Sequence, residues 1–435
     1  MTGPRRDETR RAATEGTMFS TALRKIHRLS RRLWVRVTLI SALAFVALGA
    51  AKLFGPMIPE GLSEVIGADA LNRLLDIIST SMLAVTTFSL TVMVSVHQSA
   101  SSRWTPRAHR MLLADTTTQT VLATFIGAYI YSLAAIILLS TPYYGEKEIV
   151  TLYISTLLVL VLIVFVILRW IMHLQAFGSL VDTTVRIERR AQQAFKARME
   201  RPCLGGHALD PGEIPGAARP LRADRTAYVQ AIYEDSLQAA AEEHDGRIYL
   251  VAPVGRFVHE GETIAHLLGG NEEMDEAARA AIHMGELRTD EQDPRFALIM
   301  LSEIGSKALS AGINDPGTAI DVIGRIGRVI GSYRDEIAHG REKAIHDRLW
   351  VVPLDPHDLM QDGFGAMARD GAAQVEVLIS MLKTLEALGR HPDAAIARAA
   401  RDMAHEALSR GRAALDFEPD RDRLARAAPE MATRR

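Results

Sequence analysis

The stretch IVTLYISTLLVLVLIVFVILRW, residues Ile149–Trp170, contains one charged side chain, Arg169, among 22 residues. At a rise of about 1.5 Å per residue, a helix of this length crosses a hydrocarbon core about 30 Å thick. Three more runs of similar length and character precede it: Leu33–Phe54, Leu74–Val96 and Thr120–Ser140. A buried helix of a water-soluble protein would account for one such run, but four in succession predict four transmembrane helices.

The basic residues predict how these helices are oriented. The segment before the first run is rich in arginine, whereas the loop at residues 55–73 has Arg73 as its only basic residue and carries three acidic ones. Basic residues return between the second and third runs and again after the fourth. Because cytoplasmic loops are enriched in Lys and Arg, we expect both termini on the cytoplasmic side of a bacterial inner (plasma) membrane.

The second run is distinguished by a face of hydroxyl-bearing and other small polar side chains. With the small residue Ala84 between the first two, its members recur at three- and four-residue spacing: Thr80, Thr87, Thr91, Ser95 and Gln98. Such a face lets membrane helices pack closely against one another. The alternative is a polar pore or substrate path at the centre of a homo-oligomer. The middle of each run lacks acidic and basic side chains, which argues against a proton relay.

The composition excludes several classes of function. The formal net charge of −2 gives no reason to expect a nucleic acid partner. The single cysteine, Cys203, excludes a disulfide framework and a Cys-rich metal site. The 14 histidines form no HExxH pair, and the sequence has no phosphate loop, nucleophile elbow or dinucleotide-binding motif. We therefore expect no metal, no cofactor and no catalytic residues.

The 435 residues leave room for two or three domains, and the chain after Asp182 has the composition of a water-soluble domain. The fold class that we predict is an α-helical membrane domain of four transmembrane helices plus a cytoplasmic α+β domain. Its segments are a basic cytoplasmic N-terminal segment (1–32), the transmembrane domain (33–174), a connector helix and Pro/Gly linker (175–222), a small mixed α/β unit with a β-hairpin (223–270), a helical cytoplasmic domain (271–415) and a polar tail (416–435).

Local patterns predict the elements of the α+β part. The linker is placed at residues 201–222 because prolines and glycines are dense there. Strands are expected at Ala227–Ile232, Arg247–Ala252 and Leu349–Val352, with a hairpin at Phe257–Leu268 around Gly261. Helices are expected at Asp182–Glu200, Tyr233–Glu243, Asp293–Leu309, from Asp315-Pro316 onward, Leu359–Leu388 and Ala394–Leu415. The tail after them is expected to be disordered.

The densest group of polar residues in this part is a candidate ligand site: Arg288, Asp293, Asn314 and Asp315. Two interpretations stay open. Asp293 and Asp315 each precede a proline and a helical pattern, so helix capping explains them without any ligand. The alternative is a polar pocket that binds a small ligand or an ion.

Three residues between the second and third runs are typical of a membrane interface: Arg103, Trp104 and Arg107. Tryptophan flanked by arginine is favoured at the level of the lipid headgroups. We therefore expect this segment to contact the lipid bilayer.

Several strings together carry a resemblance to a known family. They are Trp104-Thr105-Pro106-Arg107 with Asp115 and Gln119, Tyr228-Val229-Gln230-Ala231-Ile232, the segment Gly255–Ala265, Arg288-Thr289 with Gln292-Asp293, and residues Lys307–Ala319. The chain resembles a bacterial family of predicted inner-membrane proteins that is classified only as a domain of unknown function. The likeness extends from about Leu33 to about Leu388, and Ala311 departs from it where the family usually has proline. The resemblance implies this topology and architecture, and it implies no particular reaction.

Two functions of different classes remain. The first is a non-enzymatic, channel-like or transport-related homo-oligomer whose cytoplasmic domain is regulatory. The second is a membrane-tethered sensor or enzyme that binds a small polar ligand. We favour the first, because four transmembrane helices exceed what anchoring requires and the sequence has no evident nucleophile–base set.

Overall fold

The computed structural model describes residues 33–54, 68–113, 116–141, 146–176, 179–334 and 344–427. The predicted N-terminal segment 1–32 and Asp115 lie outside these ranges. The chain divides into two compact units. The helical unit comprises Met1–Ser102 and His109–Ser179, and the α+β unit comprises Arg103–Ala108 and Leu180–Arg435, in each case over their described residues.

The helical unit is built from long apolar helices, and its helix bounds are α1 Leu33–Phe54, α2 Ala68–Arg103, α3 Pro106–Leu113, α4 Thr116–Leu139 and α5 Glu146–Ala176. Three of these helices, α2, α4 and α5, are long and apolar enough to span a bilayer. The first predicted run is helical over its whole length. Its crossing of a membrane, and with it the count of four spans, stays a prediction.

Apolar side chains and a few hydrogen bonds hold the helical unit together. Ile78 of α2 and Phe125 of α4 share a buried cluster with Trp170 of α5. The buried hydroxyls of Tyr131 and Thr156 lie 3.0 Å apart and join α4 to α5. At Gly127 of α4, a Cβ atom would lie 2.4 Å from Cγ2 of Ile40, so glycine allows α1 to approach this closely.

The α+β unit contains two sheets. Its strands are β1 His207–Ala208, β2 Arg219–Arg222, β3 Ala227–Ile232, β4 Arg247–Leu250, β5 Phe257–Val258, β6 Thr263–Leu268, β7 Ile282–Gly285 and β8 Leu349–Val351. The larger sheet has the order β1-β8-β4-β6-β2, in which β8 is parallel to both its neighbours and the other pairs are antiparallel. The smaller, antiparallel sheet has the order β5-β3-β7. A buried core of aliphatic side chains from both sheets joins them.

The segment Phe257–Leu268 is not the hairpin that the sequence predicts. Strand β5 pairs with β3, whereas β6 pairs with β4 and β2, so the chain passes from one sheet to the other. Gly261 makes the tight turn between them with a φ of +81°. A turn of this kind joins two strands of one sheet or of two sheets equally well, because only the conformation of the turn is local.

Residues 201–222, predicted to be a linker between domains, lie within the α+β unit. They include β1, β2, a turn at Pro202–Gly205 in which Cys203 and Leu204 have positive φ, and a short 3₁₀ segment, Pro211–Glu213. The side chains of Cys203 and Leu221 belong to the buried core. The prolines and glycines therefore make turns inside a domain, and the division between the two units comes earlier, between Ser179 and Leu180.

The helices of the α+β unit are α6 Leu180–Glu200, α7 Glu234–Glu243, α8 Glu272–Ala281, α9 Pro294–Ala308, α10 Pro316–Gly331, α11 Pro356–Met360, α12 Ala366–Asp370, α13 Val375–Leu388, α14 Ala394–Ala414 and α15 Glu418–Ala427. The helix expected at Leu359–Leu388 is interrupted by a π-helical turn, Gln361–Gly365, and by the turn that begins at Gly371. The tail is helical up to Ala427, because Leu424 of α15 is buried against the body of the unit.

Helix α9 lies at the centre of this unit. Asp293 caps its N-terminus by accepting hydrogen bonds from the backbone of Arg295 and Phe296, and Pro294 occupies the first helical position. Most of its side chains are buried, and it packs against α6, α10 and the π-helical turn. A helix covered on several sides provides a fixed frame for the polar groups that project from it.

Glu188 of α6 forms a cluster of ion pairs with α10. Its carboxylate, 8% exposed, accepts hydrogen bonds from Arg325 at 2.6 Å and from Arg328 at 2.8 Å. Arg325 also pairs with Asp321 at 2.6 Å. Burial by itself would raise the pKa of Glu188, but the hydrogen bonds from Arg328 and Arg325 outweigh burial and lower this pKa. The cluster fixes α6 to α10.

Replacing Glu188 with alanine should lower the free energy of unfolding by about 3 kcal/mol, because the buried Arg325 loses one of its two carboxylate partners and keeps only the more exposed Asp321. Chemical denaturation of the detergent-purified protein measures this change. Glu200→Ala is the matched control on the same helix: Glu200 is 65% exposed and 3.8 Å from Lys196, so we expect less than about 0.5 kcal/mol. Equal effects of the two substitutions would contradict the importance of the cluster.

The same cluster predicts a dependence on pH. Because the folded-state pKa of Glu188 is lowered, its stabilisation is complete above the ordinary glutamate pKa of 4.5 and is lost as the pH falls through the lower folded value. The difference in unfolding free energy between wild type and Glu188→Gln should therefore shrink below pH 4.5. A difference that stays constant from pH 7 to pH 3 would show that the charge of Glu188 is not what stabilises the cluster.

Candidate functional site

The short segment Arg103–Ala108 connects two helices of the helical unit, yet it belongs to the α+β unit. The side chain of Trp104 is 3% exposed, and Thr105 is buried beside it. The hydroxyl of Thr105 accepts a hydrogen bond from the backbone N–H of Ala108 at 3.3 Å and so begins helix α3. The middle of the segment, Trp104 and Thr105, is therefore buried in the α+β unit.

One face of α9 holds this segment. Phe296, Glu303 and Lys307 are separated by seven and four residues, a spacing that places them on the same side of a helix. The ammonium of Lys307 donates a hydrogen bond to the backbone carbonyl of Trp104 at 2.6 Å. The guanidinium of Arg107 pairs with the carboxylate of Glu303. We call these five residues the α9 clamp.

Aromatic and cationic groups extend the α9 clamp toward the start of α9. The guanidinium carbon of Arg107 lies 6.0 Å from the ring centroid of Phe296. Arg288 lies 5.5 Å from the same ring. Guanidinium groups at this distance from a ring are attracted by its π electrons. The two arginines therefore meet around Phe296, one from the segment 103–108 and one from the loop that precedes α9.

Arg288 and Asp293, predicted as part of a ligand pocket, form an ion pair. Nε of Arg288 lies 2.6 Å from Oδ2 of Asp293, whose side chain is almost fully buried. Burial raises the pKa of Asp293, and the pairing with Arg288 opposes that effect. At Gly255, where φ is +89°, a Cβ atom would lie 2.0 Å from Oδ2 of Asp293, so glycine permits this close approach. The carboxylate is committed to Arg288 and to capping α9.

Asn314 and Asp315 lie at the other end of α9. The backbone N–H of Asp315 donates to the carbonyl of Ala308, the last residue of the helix, at 2.8 Å. Since α9 has 15 residues, its two ends are about 22 Å apart. Asn314 takes the left-handed conformation with a φ of 50°. The structure therefore separates the four predicted residues into two pairs, and a pocket shared by all four finds no support in this geometry.

Asp315 has a clear local role at this second end. Its carboxylate accepts hydrogen bonds from the backbone N–H of Thr318 at 3.0 Å and from the hydroxyl of Thr318 at 2.6 Å. The side-chain hydrogen bond from Thr318, followed by the backbone one, lowers the pKa of Asp315. These contacts make Asp315 the N-cap of α10, as the capping interpretation expects.

The residues predicted at the membrane interface have different surroundings from those expected. The buried indole of Trp104 is not available to lipid headgroups. The guanidinium of Arg107 forms an ion pair with Glu303 and lies near the ring of Phe296. The side chain of Arg103 lies outside what the structure describes. Tryptophan flanked by arginine is favoured both at headgroups and in contacts between proteins, so the sequence pattern does not distinguish the two environments.

The hydroxyl face of α2 is exposed on the single chain. All of its predicted members lie on the surface: Thr80, Thr87, Thr91, Ser95 and Gln98. The opposite side of α2 is the buried one, with Leu75, Ile78 and Met82 packed inside the helical unit. The hydroxyl of Thr91 donates to the carbonyl of Thr87 at 2.9 Å, a bond to its own helix. Over the described residues, other helices of the same chain therefore leave this face uncovered.

The described carboxylates and cations around α9 are engaged with one another. Arg295 pairs with Asp362 at 2.5 Å and with Asp358, and the hydroxyl of Ser306 donates to Asp370. Among the described residues, no group of three or more His, Cys, Asp or Glu side chains could hold a metal ion. This arrangement can bind a peptide segment, here Arg103–Ala108, by ion pairs and hydrogen bonds.

Sequence reasoning missed several of these residues. Glu303 and Phe296 read as ordinary positions of an amphipathic helix, and Arg107 is 196 residues away from Glu303 along the chain. Lys307, Trp104 and Arg107 lie in strings that carry the family resemblance, and that resemblance was the available signal. Pairings over such distances leave no local spacing pattern, so only the folded structure brings them together.

Comparison with known proteins agrees with the resemblance. The model of a family described as "Predicted membrane protein (DUF2254)" matches residues 30–387. Uncharacterized proteins of Mycobacterium bovis (Mb1321c) and Mycobacterium tuberculosis (Rv1290c) are each 26% identical over 322 residues, which cover 70% of this chain. The match spans 60% of the length of those relatives. No solved structure matches the chain.

Loss of the Lys307 contact should release the segment Arg103–Ala108. A hydrogen bond from a charged donor contributes about 1.5–3 kcal/mol, so Lys307→Met should speed hydrogen–deuterium exchange of residues 103–108 by about tenfold. Exchange followed by mass spectrometry on the detergent-purified protein measures this. Lys196→Met, at an exposed position of α6, is the control and should leave the exchange unchanged. Identical exchange in wild type and Lys307→Met would contradict the role of the α9 clamp.

Proposed function

Because this chain belongs to the DUF2254 family of predicted membrane proteins, we propose that it is a channel-like or transport-related homo-oligomer with a regulatory cytoplasmic α+β unit. The bacterial inner membrane is its proposed location, with both termini on the cytoplasmic side. The observation that carries the regulatory part is the α9 clamp. The segment that it holds, Arg103–Ala108, is the covalent connection between α2 and α3.

The α9 clamp holds a segment that is continuous in sequence with α2. Helix α2 runs without interruption from Ala68 to Arg103, directly before the buried Trp104. Lys307 and Glu303 bind Trp104 and Arg107 within the α+β unit. Since α2 also carries the hydroxyl face, we assign the regulatory role to the α+β unit through this continuity of the chain.

The exposed hydroxyl face of α2 supports an oligomer. A spanning helix in contact with lipid gains nothing from a row of hydroxyl groups, whereas a second helix or water can bond with them. The exposed side chains of α5, such as Leu158 at 67% exposure, are aliphatic as expected for a lipid-facing surface. We assign the α2 face to contact between copies of the chain around a polar path.

The second function considered above, a membrane-tethered sensor or enzyme, loses its original site. Arg288 and Asp293 are paired with each other, and Asp315 serves as a helix cap. Ligand sensing by a different part of the α+β unit is compatible with the regulatory role proposed here.

Disulfide cross-linking in native membranes tests the oligomer. The only native cysteine, Cys203, is fully buried, so background cross-linking should be low. The substitutions Thr87→Cys and Thr91→Cys should give a disulfide-linked dimer on oxidation, because the proposal places these positions between copies. Leu158→Cys is the control on an equally exposed but lipid-facing surface and should give little dimer. Equal cross-linking at Thr87 and Leu158, or none at either threonine, would contradict the proposed interface.

Conductance of the purified protein in planar bilayers tests the polar path. A positive charge in a pore lining favours anions, so Thr91→Lys should shift the reversal potential in a salt gradient toward that of the anion. Thr91→Val, of similar shape and without charge, should keep the wild-type reversal potential. A wild-type protein without conductance, or a reversal potential that Thr91→Lys leaves unchanged, would contradict the channel-like role.

A further inference from the structure

A groove lined by cations lies on the α+β unit, away from the α9 clamp. It has a volume of about 510 Å³ and runs between α10 and α13. Its charged and imidazole side chains are Arg328, Arg334, Lys383, Arg390 and His391, which together we call the basic groove. A volume of this size is typical of sites for small molecules.

The cations of the basic groove outnumber the carboxylates that they contact. Arg328 pairs with Glu188 at 2.8 Å, and Arg390 pairs with Glu386. Lys383 has no hydrogen bond or ion pair with any described residue, and it is exposed. Four cations face two carboxylates, so the groove attracts an anion.

Arg334 adds to this positive character and lies beside His391. The guanidinium of Arg334 donates to the backbone carbonyls of Gly331 at 3.0 Å and Tyr333 at 2.6 Å, which fixes it at the end of the groove. Burial, and next the charge of Arg334, lower the pKa of His391, while Asp393 opposes them. The positive charges of the groove are those of the arginines and the lysine.

The floor of the groove is formed by glycines of α10. A glycine inside a helix costs about 1 kcal/mol relative to alanine, so three on one face call for a reason. At Gly327 the reason is packing, since a Cβ atom would lie 2.4 Å from Cγ2 of Thr384. At Gly324 a Cβ atom would meet nothing within 4 Å, and at Gly331 its nearest atom, in Leu388, is 3.6 Å away. Packing does not require glycine at these two positions, and the absence of side chains there leaves this side of the groove open.

The combination of cations with apolar and glycine residues in the lining indicates the chemistry of the ligand. The groove is also lined by Ala387, Leu388 and Pro392, which offer an apolar wall beside the glycine floor. A planar ring can lie on such a surface while phosphate oxygens reach the guanidinium and ammonium groups. We propose that the basic groove binds a soluble, ring-containing diphosphate of the nucleoside diphosphate class.

Binding to the basic groove would act directly on the cluster around Glu188. A diphosphate competes with Glu188 for Arg328, the arginine that both the groove and the cluster contain. Arg325 stays with Glu188, because it is buried and lies 2.6 Å away. The ligand thus changes the connection between α10 and α6. Only this last consequence for regulation rests on the proposed function, and the binding site itself does not.

Isothermal titration calorimetry of the detergent-purified full chain tests the site, with ADP as the probe. ADP should bind, and adenosine, which lacks phosphate, should not. Lys383→Glu, which reverses a charge, and Gly324→Leu, which adds a side chain where a Cβ atom meets nothing within 4 Å, should each weaken ADP binding at least tenfold, or about 1.4 kcal/mol. Lys196→Glu, a charge reversal on the exposed side of α6, is the control and should bind as wild type does.

Dioctanoyl phosphatidic acid is titrated in parallel, because a lipid headgroup carries the same phosphate chemistry. Absence of ADP binding to the wild type, equal binding by the groove variants, or binding of the lipid alone would each overturn the proposal. Thermal denaturation of each variant without ligand checks that it is folded. A negative result here leaves the cross-linking and conductance tests of the oligomer unaffected, so the two failures are distinguishable.

Discussion

Helix α9 carries the contacts that hold the segment Arg103–Ala108 within the α+β unit, and α9 is itself fixed at several points. Its N-terminus is held by Asp293 and Arg288, and its flanks are packed against α6 and α10. On that frame, Lys307 presents its ammonium to the carbonyl of Trp104, and Glu303 presents its carboxylate to Arg107. The α9 clamp therefore depends on the helix cap and the core packing that fix α9.

The second constraint is the cluster around Glu188, which joins the start of the α+β unit to α10. Glu188 lies on α6, the helix that follows the last bilayer-length helix, and its partners Arg325 and Arg328 lie on the helix that forms the floor of the basic groove. Helix α2 is followed along the chain by the segment Arg103–Ala108, which is bound to α9 by Lys307 and Glu303. Helix α5 is followed by α6, whose Glu188 is bound to α10 by ion pairs. In the proposed function, a ligand in the groove and the hydroxyl face of α2 communicate through α9 and α10.

What could be predicted from the sequence depended on local signals. The starts of α9 and α10 were predicted because Asp293 and Asp315 each precede a proline, and both cap their helices. The family resemblance is confirmed by the match to the family model. The apparent hairpin around Gly261 joins two sheets instead of one, because strand pairing is decided by distant partners. The Pro/Gly segment at 201–222 forms turns inside a domain. Turns inside a domain and linkers between domains are both rich in proline and glycine, so composition does not distinguish them. Arg107 and Glu303 lie 196 residues apart, beyond the reach of any spacing rule.

Side chains of α9 hold the segment 103–108, and a double-mutant cycle on Arg107 and Glu303 measures their contribution. The free energy of unfolding is determined for wild type, Arg107→Met, Glu303→Gln and the double variant. For a partly buried pair in contact, we expect a coupling of about 1 kcal/mol, so the double variant should be less destabilised than the sum of the single ones. Additive effects, within about 0.3 kcal/mol, would show that the two side chains do not interact and that the α9 clamp does not hold the segment through this pair.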